Sequence, residues 1–228
     1  ERYLAASWQA GEANDETGSP AMSQVYGRQR FRLRARRVGP ITLAVILACV
    51  AVFVEFNVGD PFNWWPTLQF YRTWGQLLAG GDWWRWFTTS LSHYQLMHVG
   101  FNLLWWWDLA GNVERRQGSI RLLVLFMLLN IVSNFTQFWV SGPNFLGLSG
   151  VVYGILGYLW AYARICPRYP EPLNPLVFRS MIIWLVICLT GVVDIFLQGG
   201  IANGAHVGGL VAGIVLGYWW GLLDRRTW

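Results

Sequence analysis

The chain has 228 residues, of which 54% are hydrophobic, 17% aromatic and only 13% charged. Soluble domains run at about a quarter charged, and several apolar runs here approach the roughly 18–20 residues that cross a bilayer. Composition therefore argues against an ordinary soluble domain and predicts an all-α, polytopic membrane protein with one domain in the membrane.

The net charge of +5 is carried by arginine alone on the basic side. Those arginines are distributed as topology signals and not as a nucleic-acid-binding face. The cysteines are Cys49, Cys166 and Cys188, an odd count without sensible pairs. That argues against a disulfide framework and predicts plain thiols.

Residues 1–38 differ from the rest. "GEANDETGSPAMSQ" reads as a polar linker, and "RQRFRLRARR" places six arginines in ten residues. Beside a membrane such a run predicts a cytoplasmic anchor facing anionic lipid; RNA binding is its rival reading. The chain starts at Glu1 without Met or a signal-peptide pattern, so it is expected to be a piece of something longer. Residues 39–228 are the expected membrane domain.

Six spans are predicted, at 41–57, 95–113, 120–140, 149–163, 177–197 and 204–223. With a cytoplasmic N-terminus, the inner loops carry Arg115, Arg116 and Arg121, then Arg164, Arg168 and Arg179, then Arg225 and Arg226. The outer loops 141–148 and 198–203 carry none, which is the positive-inside pattern with both termini cytoplasmic. Only the first outer loop, 58–94, breaks it, with Arg72 and Arg85. That loop holds Trp64, Trp65, Trp74, Trp83, Trp84 and Trp86 and reads as amphipathic pieces in the outer interface. Glu55 and Asp108 fall within apolar runs near predicted interfaces, where carboxylates can snorkel.

The fourth span is short. Ser149 to Ala163 is 15 residues, about 22 Å of helix against a hydrocarbon core about 30 Å thick. The preceding "SGPNFLG" must then enter the membrane, where non-helical backbone is tolerated only inside protein or beside a wet cavity. The spacing predicts an outward-facing pit with Ser149 at its floor. The sixth span opens with "GGIANGAHVGGLVAG" and runs in the same direction, placing His206 at the same level. Its Ala205, Gly209, Gly213, Gly217 and Gly221, against Gly150, Gly154 and Gly157 of the fourth, predict backbone-to-backbone packing. That packing would bring hydroxyl and imidazole together.

A serine hydroxyl needs an adjacent base to become a nucleophile, and histidine can take and return the proton. A serine at a helix start is also a common N-cap, but its pairing with His206 favours chemistry. On the second span, His98 and Asn102 share a face at i, i+4 and offer donors for an oxyanion; interhelical polar glue is their bland reading. No H-E-x-x-H occurs, and no metal or cofactor is implied. "GLSGV" is not G-x-S-x-G, since position 151 is Val. No carboxylate has an obvious place behind His206, with Asp194 near the outer end of the fifth span, so a dyad is expected.

"HVGFNLLWWW", "GLSGVVYG" and "GAHVGGLVAG" resemble the rhomboid intramembrane serine proteases, of the bacterial GlpG type. "RYLAASWQAG" is similar to the end of that type's cytoplasmic domain. The resemblance implies Ser149 as nucleophile, His206 as general base, and an oxyanion hole of His98, Asn102 and the backbone N–H of Ser149, joined by that of Leu148. It implies Tyr153 stacked on His206, with Gly147, Gly150, Gly209 and Gly213 in support. Trp84 and Arg85 resemble a structural first-loop motif, and Glu114 a carboxylate bracing that loop. The fifth span would form a side gate for a substrate helix. The implied partners are a transmembrane protein substrate and the bilayer, without nucleic acid; the implied location is a bacterial inner membrane. Two rivals remain: a catalytically inactive rhomboid-like scaffold that binds transmembrane helices, and a small transporter with broken helices. Substrate, oligomeric state and the roles of Asp108 and Glu55 are not legible.

Overall fold

A computed structural model describes residues 38–59, 62–195 and 200–226. The linker and basic run expected over 1–38 lie outside the described residues, apart from Val38. All regular elements among the described residues are helical. They are α1 (Pro40–Asn57), α2 (Trp65–Leu68), α3 (Trp74–Ala79), α4 (Arg85–Thr88), α5 (Leu96–Trp105), α6 (Gly111–Gln117), α7 (Ser119–Ser141), α8 (Ser149–Ile165), α9 (Pro175–Leu189) and α10 (Asn203–Asp224).

By length and apolarity α1, α7 and α10 can each cross a bilayer, with mean hydropathies of 2.1, 1.7 and 1.4; α9 is a shorter apolar helix. Their burial is inverted relative to a soluble protein. On α1, Leu43, Leu47, Val50 and Val54 are exposed while Thr42 and Glu55 are buried. On α7, Leu123, Val124 and Trp139 face outward while Asn130, Ser133, Asn134 and Gln137 face in. Apolar surface on this scale needs a lipid or protein cover. The chain is a multi-pass membrane protein.

The middle of the fold is α8, buried on every side from Gly150 to Leu159, as a central helix must be. Its closest neighbour is α10. A β-carbon on Gly209 would strike the carbonyl of Gly150, one on Gly213 that of Gly154, and one on Gly217 that of Tyr158. Without side chains at these positions the two backbones touch directly. Ser133 and Leu129 of α7 close the other side of α8, against Gly150 and Gly154.

α5 and α6 form one rod joined by a π-helical turn, Trp106–Ala110. There the buried Trp106 indole donates to the carbonyl of Thr42 at 3.1 Å. The predicted span 95–113 thus continues to Gln117, with Arg115 and Arg116 in the last turn, where positive charge suits the helix dipole.

The tryptophan-rich segment 62–94, expected as the first outer loop, is tied down by its own polar groups. Arg85 Nη1 donates to the carbonyls of Pro66 and Gln69 at 2.7 and 2.9 Å, and Trp84 Nε1 to that of Thr67 at 3.1 Å. Phe70 and Tyr71 pack with Phe138 and Phe145, which fastens the loop to α7 and to the segment before α8.

Three expectations change. Glu114 does not brace this loop. Its carboxylate accepts from the N–H groups of Ile41 and Thr42, both at 2.8 Å, and from Thr42 Oγ1 at 2.6 Å. It also accepts from Ser119 Oγ at 2.7 Å. It caps the N-terminus of α1, where orphan amides and the positive end of the dipole favour a carboxylate. Second, α9 ends at Leu189, short of the predicted 197, because Gly191 adopts φ +75°; residues 196–197 lie outside the described set. Third, Glu55 does not snorkel. It is buried and accepts from the Phe62 N–H at 3.1 Å, fixing the exit from α1. Asp108 sits half-buried in the π turn.

Candidate active site

Ser149, the expected nucleophile, is placed by a turn and a helix start. Gly147 has φ +112°, a conformation that glycine holds without strain. A β-carbon there would also lie 2.7 Å from His98 Cε1. Its N–H donates to the carbonyl of Thr89 at 3.2 Å. The next carbonyl, of Leu148, accepts from the Val152 N–H at 3.1 Å, the first bond of α8. Ser149 is therefore the first residue of the helix, and its N–H is one of the amides that a helix start leaves without an internal partner.

The start of α10 is fixed from two sides. The Ala205 N–H donates to Gln137 Oε1 of α7 at 3.1 Å. Asn203 Nδ2 donates to the carbonyl of Cys188, at the end of α9, at 3.1 Å. His206 follows, 6% exposed, and its Nε2 lies 2.7 Å from Ser149 Oγ.

Tyr153, one turn along α8 from Ser149, has its ring against that of His206, with centroids 4.9 Å apart and a 42° tilt. Its hydroxyl donates to the carbonyl of Met181 on α9 at 3.0 Å. His206 Nδ1 has no hydrogen-bond partner among the described residues. Asp194 accepts the Ile201 N–H at 2.8 Å instead. The described arrangement is a pair, Ser149 and His206.

His98 lies against the Gly147 turn. Asn102, one turn on and buried, donates from Nδ2 to the carbonyl of His98 at 3.0 Å. An amide carries two N–H donors, so one remains. The Leu148 N–H, an expected oxyanion donor, is already engaged, by His93 Nε2 at 3.2 Å. Trp84 and Arg85 act within the tryptophan-rich segment before α5, and Glu114 lies at the other end of the α5–α6 rod.

His93, Gln137 and Thr89, which carry no motif in the sequence, hold the two helix starts. One signal for Gln137 was available. Asn130, Ser133, Asn134 and Gln137 recur at helical spacing along an otherwise apolar α7, which marks an inward polar face. Asn134 uses it to donate to the carbonyl of Trp86 at 2.8 Å.

The family model described as the Rhomboid domain matches residues 80–222, a stretch that contains every residue of this site.

Proposed function

The chain belongs to the rhomboid family, and from that premise we propose that it is an intramembrane serine endopeptidase. It cuts transmembrane segments of membrane proteins near their outer face through a Ser149–His206 dyad. The observation that carries this reading is the 2.7 Å contact between Ser149 Oγ and His206 Nε2, across two helix starts 57 residues apart in sequence.

In this reading the Ser149 hydroxyl donates to a neutral His206. As Oγ bonds to the scissile carbonyl carbon, the proton passes to Nε2. The carbonyl oxygen, now negative, receives the Ser149 N–H together with donors from His98 and Asn102. Collapse breaks the peptide C–N bond, and Nε2 returns the proton to the leaving amine. Water, deprotonated by the same imidazole, then hydrolyses the acyl-enzyme. No metal or cofactor takes part. Leu148 stays out of this resting oxyanion hole because His93 holds its N–H.

Topology is part of the proposal: six spans, with a short fourth, both termini cytoplasmic, and the tryptophan-rich loop in the outer interface. The arginine distribution supports it. The motifs quoted above favour the bacterial GlpG type and a bacterial inner membrane. They also favour residues 1–38 as the linker from a cytoplasmic domain and 39–228 as the catalytic domain. The fitting substrate is a single-span protein with helix-weakening residues near the outer face.

The test is incubation of purified protein with such a substrate, with cut sites mapped by mass spectrometry and Ser149→Ala as control. Wild type cuts and Ser149→Ala does not. Binding without cutting by wild type would turn the reading to the inactive scaffold, and cutting by a pure Ser149→Ala preparation would sink the mechanism.

A further inference from the structure

We infer that His93 is a positioning residue for the nucleophile: locked in one tautomer, it clamps the Gly147–Leu148 turn and so aims the first amide of α8. This rests on the reading of Ser149 as nucleophile. His93 lies between the 3-10 turn Thr89–Leu91 and α5, and it is fully buried, at 0% exposure.

Both of its ring nitrogens meet backbone. Nε2 is 3.2 Å from the Leu148 nitrogen, and Nδ1 is 3.2 Å from the Leu91 carbonyl oxygen. The Leu148 N–H can only donate, so Nε2 accepts. A neutral imidazole then carries its proton on Nδ1, where the Leu91 carbonyl can only accept it. The two contacts demand the same tautomer, and a protonated ring would lose the Leu148 bond.

The consequence reaches Ser149 through one peptide. Leu148 is gripped from both sides, its N–H by His93 and its C=O by the Val152 N–H. A trans peptide sets the Ser149 N–H opposite the Leu148 C=O. Its direction, out of the helix start, therefore depends on how Leu148 is held. The adjacent Gly147 N–H is fixed by the Thr89 carbonyl, so the segment 89–93 holds two successive amides of the turn. His93 also sets its ring edgewise on His98, centroids 4.9 Å apart at 71°. One imidazole thus backs both a side-chain donor and the backbone donor of the proposed oxyanion hole. Leu148 is itself fully buried, so without His93 its N–H would lack a partner unless the turn rotated.

Two variants test this. His93→Leu removes the acceptor, and His93→Gln restores an oxygen near the place of Nε2. Amide exchange resolved at Leu148 reads the clamp directly: protected in wild type and in His93→Gln, exposed in His93→Leu. Turnover of a transmembrane substrate reads its effect. Misplacement on the ångström scale lowers kcat by about 10- to 100-fold, so His93→Leu loses that much with KM little changed, and His93→Gln regains most of it. Unchanged Leu148 exchange in His93→Leu overturns the clamp. Equal kcat losses in both variants, or a loss only in proportion to unfolded protein, overturn the positioning role. A wild type that neither cuts nor reacts with a fluorophosphonate would end the protease reading, while exchange at Leu148 would still decide the clamp.

Discussion

Gly209 rests so closely on Gly150 that the Gly150 carbonyl occupies the space a β-carbon on Gly209 would need. Gly150 is the residue after Ser149, and Gly209 lies three residues after His206. The contact that joins α8 to α10 therefore also sets the separation of Ser149 and His206. Gly213 on Gly154 and Gly217 on Tyr158 repeat it down the seam, so the register cannot slip at one end alone.

Gly209→Val should remove stability and activity together. A branched side chain against a backbone carbonyl cannot be accommodated by a rotamer change, so the cost belongs at the upper end of the roughly 1–3 kcal/mol of overpacking. The melting temperature in detergent should fall, and cleavage per folded molecule should fall with it. A Gly209→Val protein that melts like wild type would contradict the backbone contact.

Glu114→Ala should lower stability and leave the chemistry alone. It strips the acceptor from two amides and a hydroxyl at the start of α1 and from the Ser119 hydroxyl at the start of α7. Leaving buried donors without an acceptor costs on the order of 1–3 kcal/mol each at the buried ones. Glu114 is 16 residues beyond His98, or about 24 Å along the rod, so kcat of the folded fraction should hold. Proteolytic sensitivity of the tryptophan-rich loop between α1 and α5, compared between wild type and variant, checks the assignment. Selective opening of that loop would return Glu114 to a loop-bracing role.

The helical, multi-pass architecture was legible because lipid demands long apolar helices, and these leave a strong compositional trace. The closeness of Ser149 to His206 could be argued because glycines every four residues announce a helix seam. The remaining contacts leave no such trace. Glu114 on α1 and His93 on Leu148 are bonds from a side chain to backbone 72 and 55 residues away, with no periodicity on either side. Gln137 was readable in principle, since polar residues at helical spacing in an apolar helix mark its inner face. The end of α9 was overrun because hydropathy continues past Gly191 while the backbone does not.

Acid should weaken the joint between α6 and the α8–α9 loop through Glu171. In the loop between α8 and α9 its carboxylate meets Arg116 at 2.7 Å and Arg115 at 3.3 Å. Burial pushes its pKa up, but Arg116 and Arg115 outweigh that and hold it below the usual carboxylate range. With the folded pKa depressed, this contribution is fully present above the ordinary glutamate value of about 4.3 and is lost as pH falls through the folded value. The melting temperature should drop across that acid window, by less in Glu171→Gln, and the gap should narrow in high salt. Identical acid profiles for the two proteins would deny the ion pairs any weight.

His98→Ala and Asn102→Ala should separate rate from fold. The proposed chemistry builds negative charge on an oxygen beside the start of α8, and a donor aimed there is stronger in the transition state than in the ground state. Loss of one such donor typically lowers turnover by about 10²–10³. The Ser149 N–H remains in both variants, so some cleavage should persist. Asn102 has the harder task, because one of its N–H groups is held by the His98 carbonyl and only the other is free to meet substrate. Asn102→Asp keeps an oxygen there but removes the donors and adds charge, so it should be at least as slow as the alanine variant. Melting temperatures near wild type, with kcat reduced and KM little changed, are the expected result. If instead both alanine variants cut at the wild-type rate while melting earlier, His98 and Asn102 are polar glue between helices, and the oxyanion is held by the backbone alone.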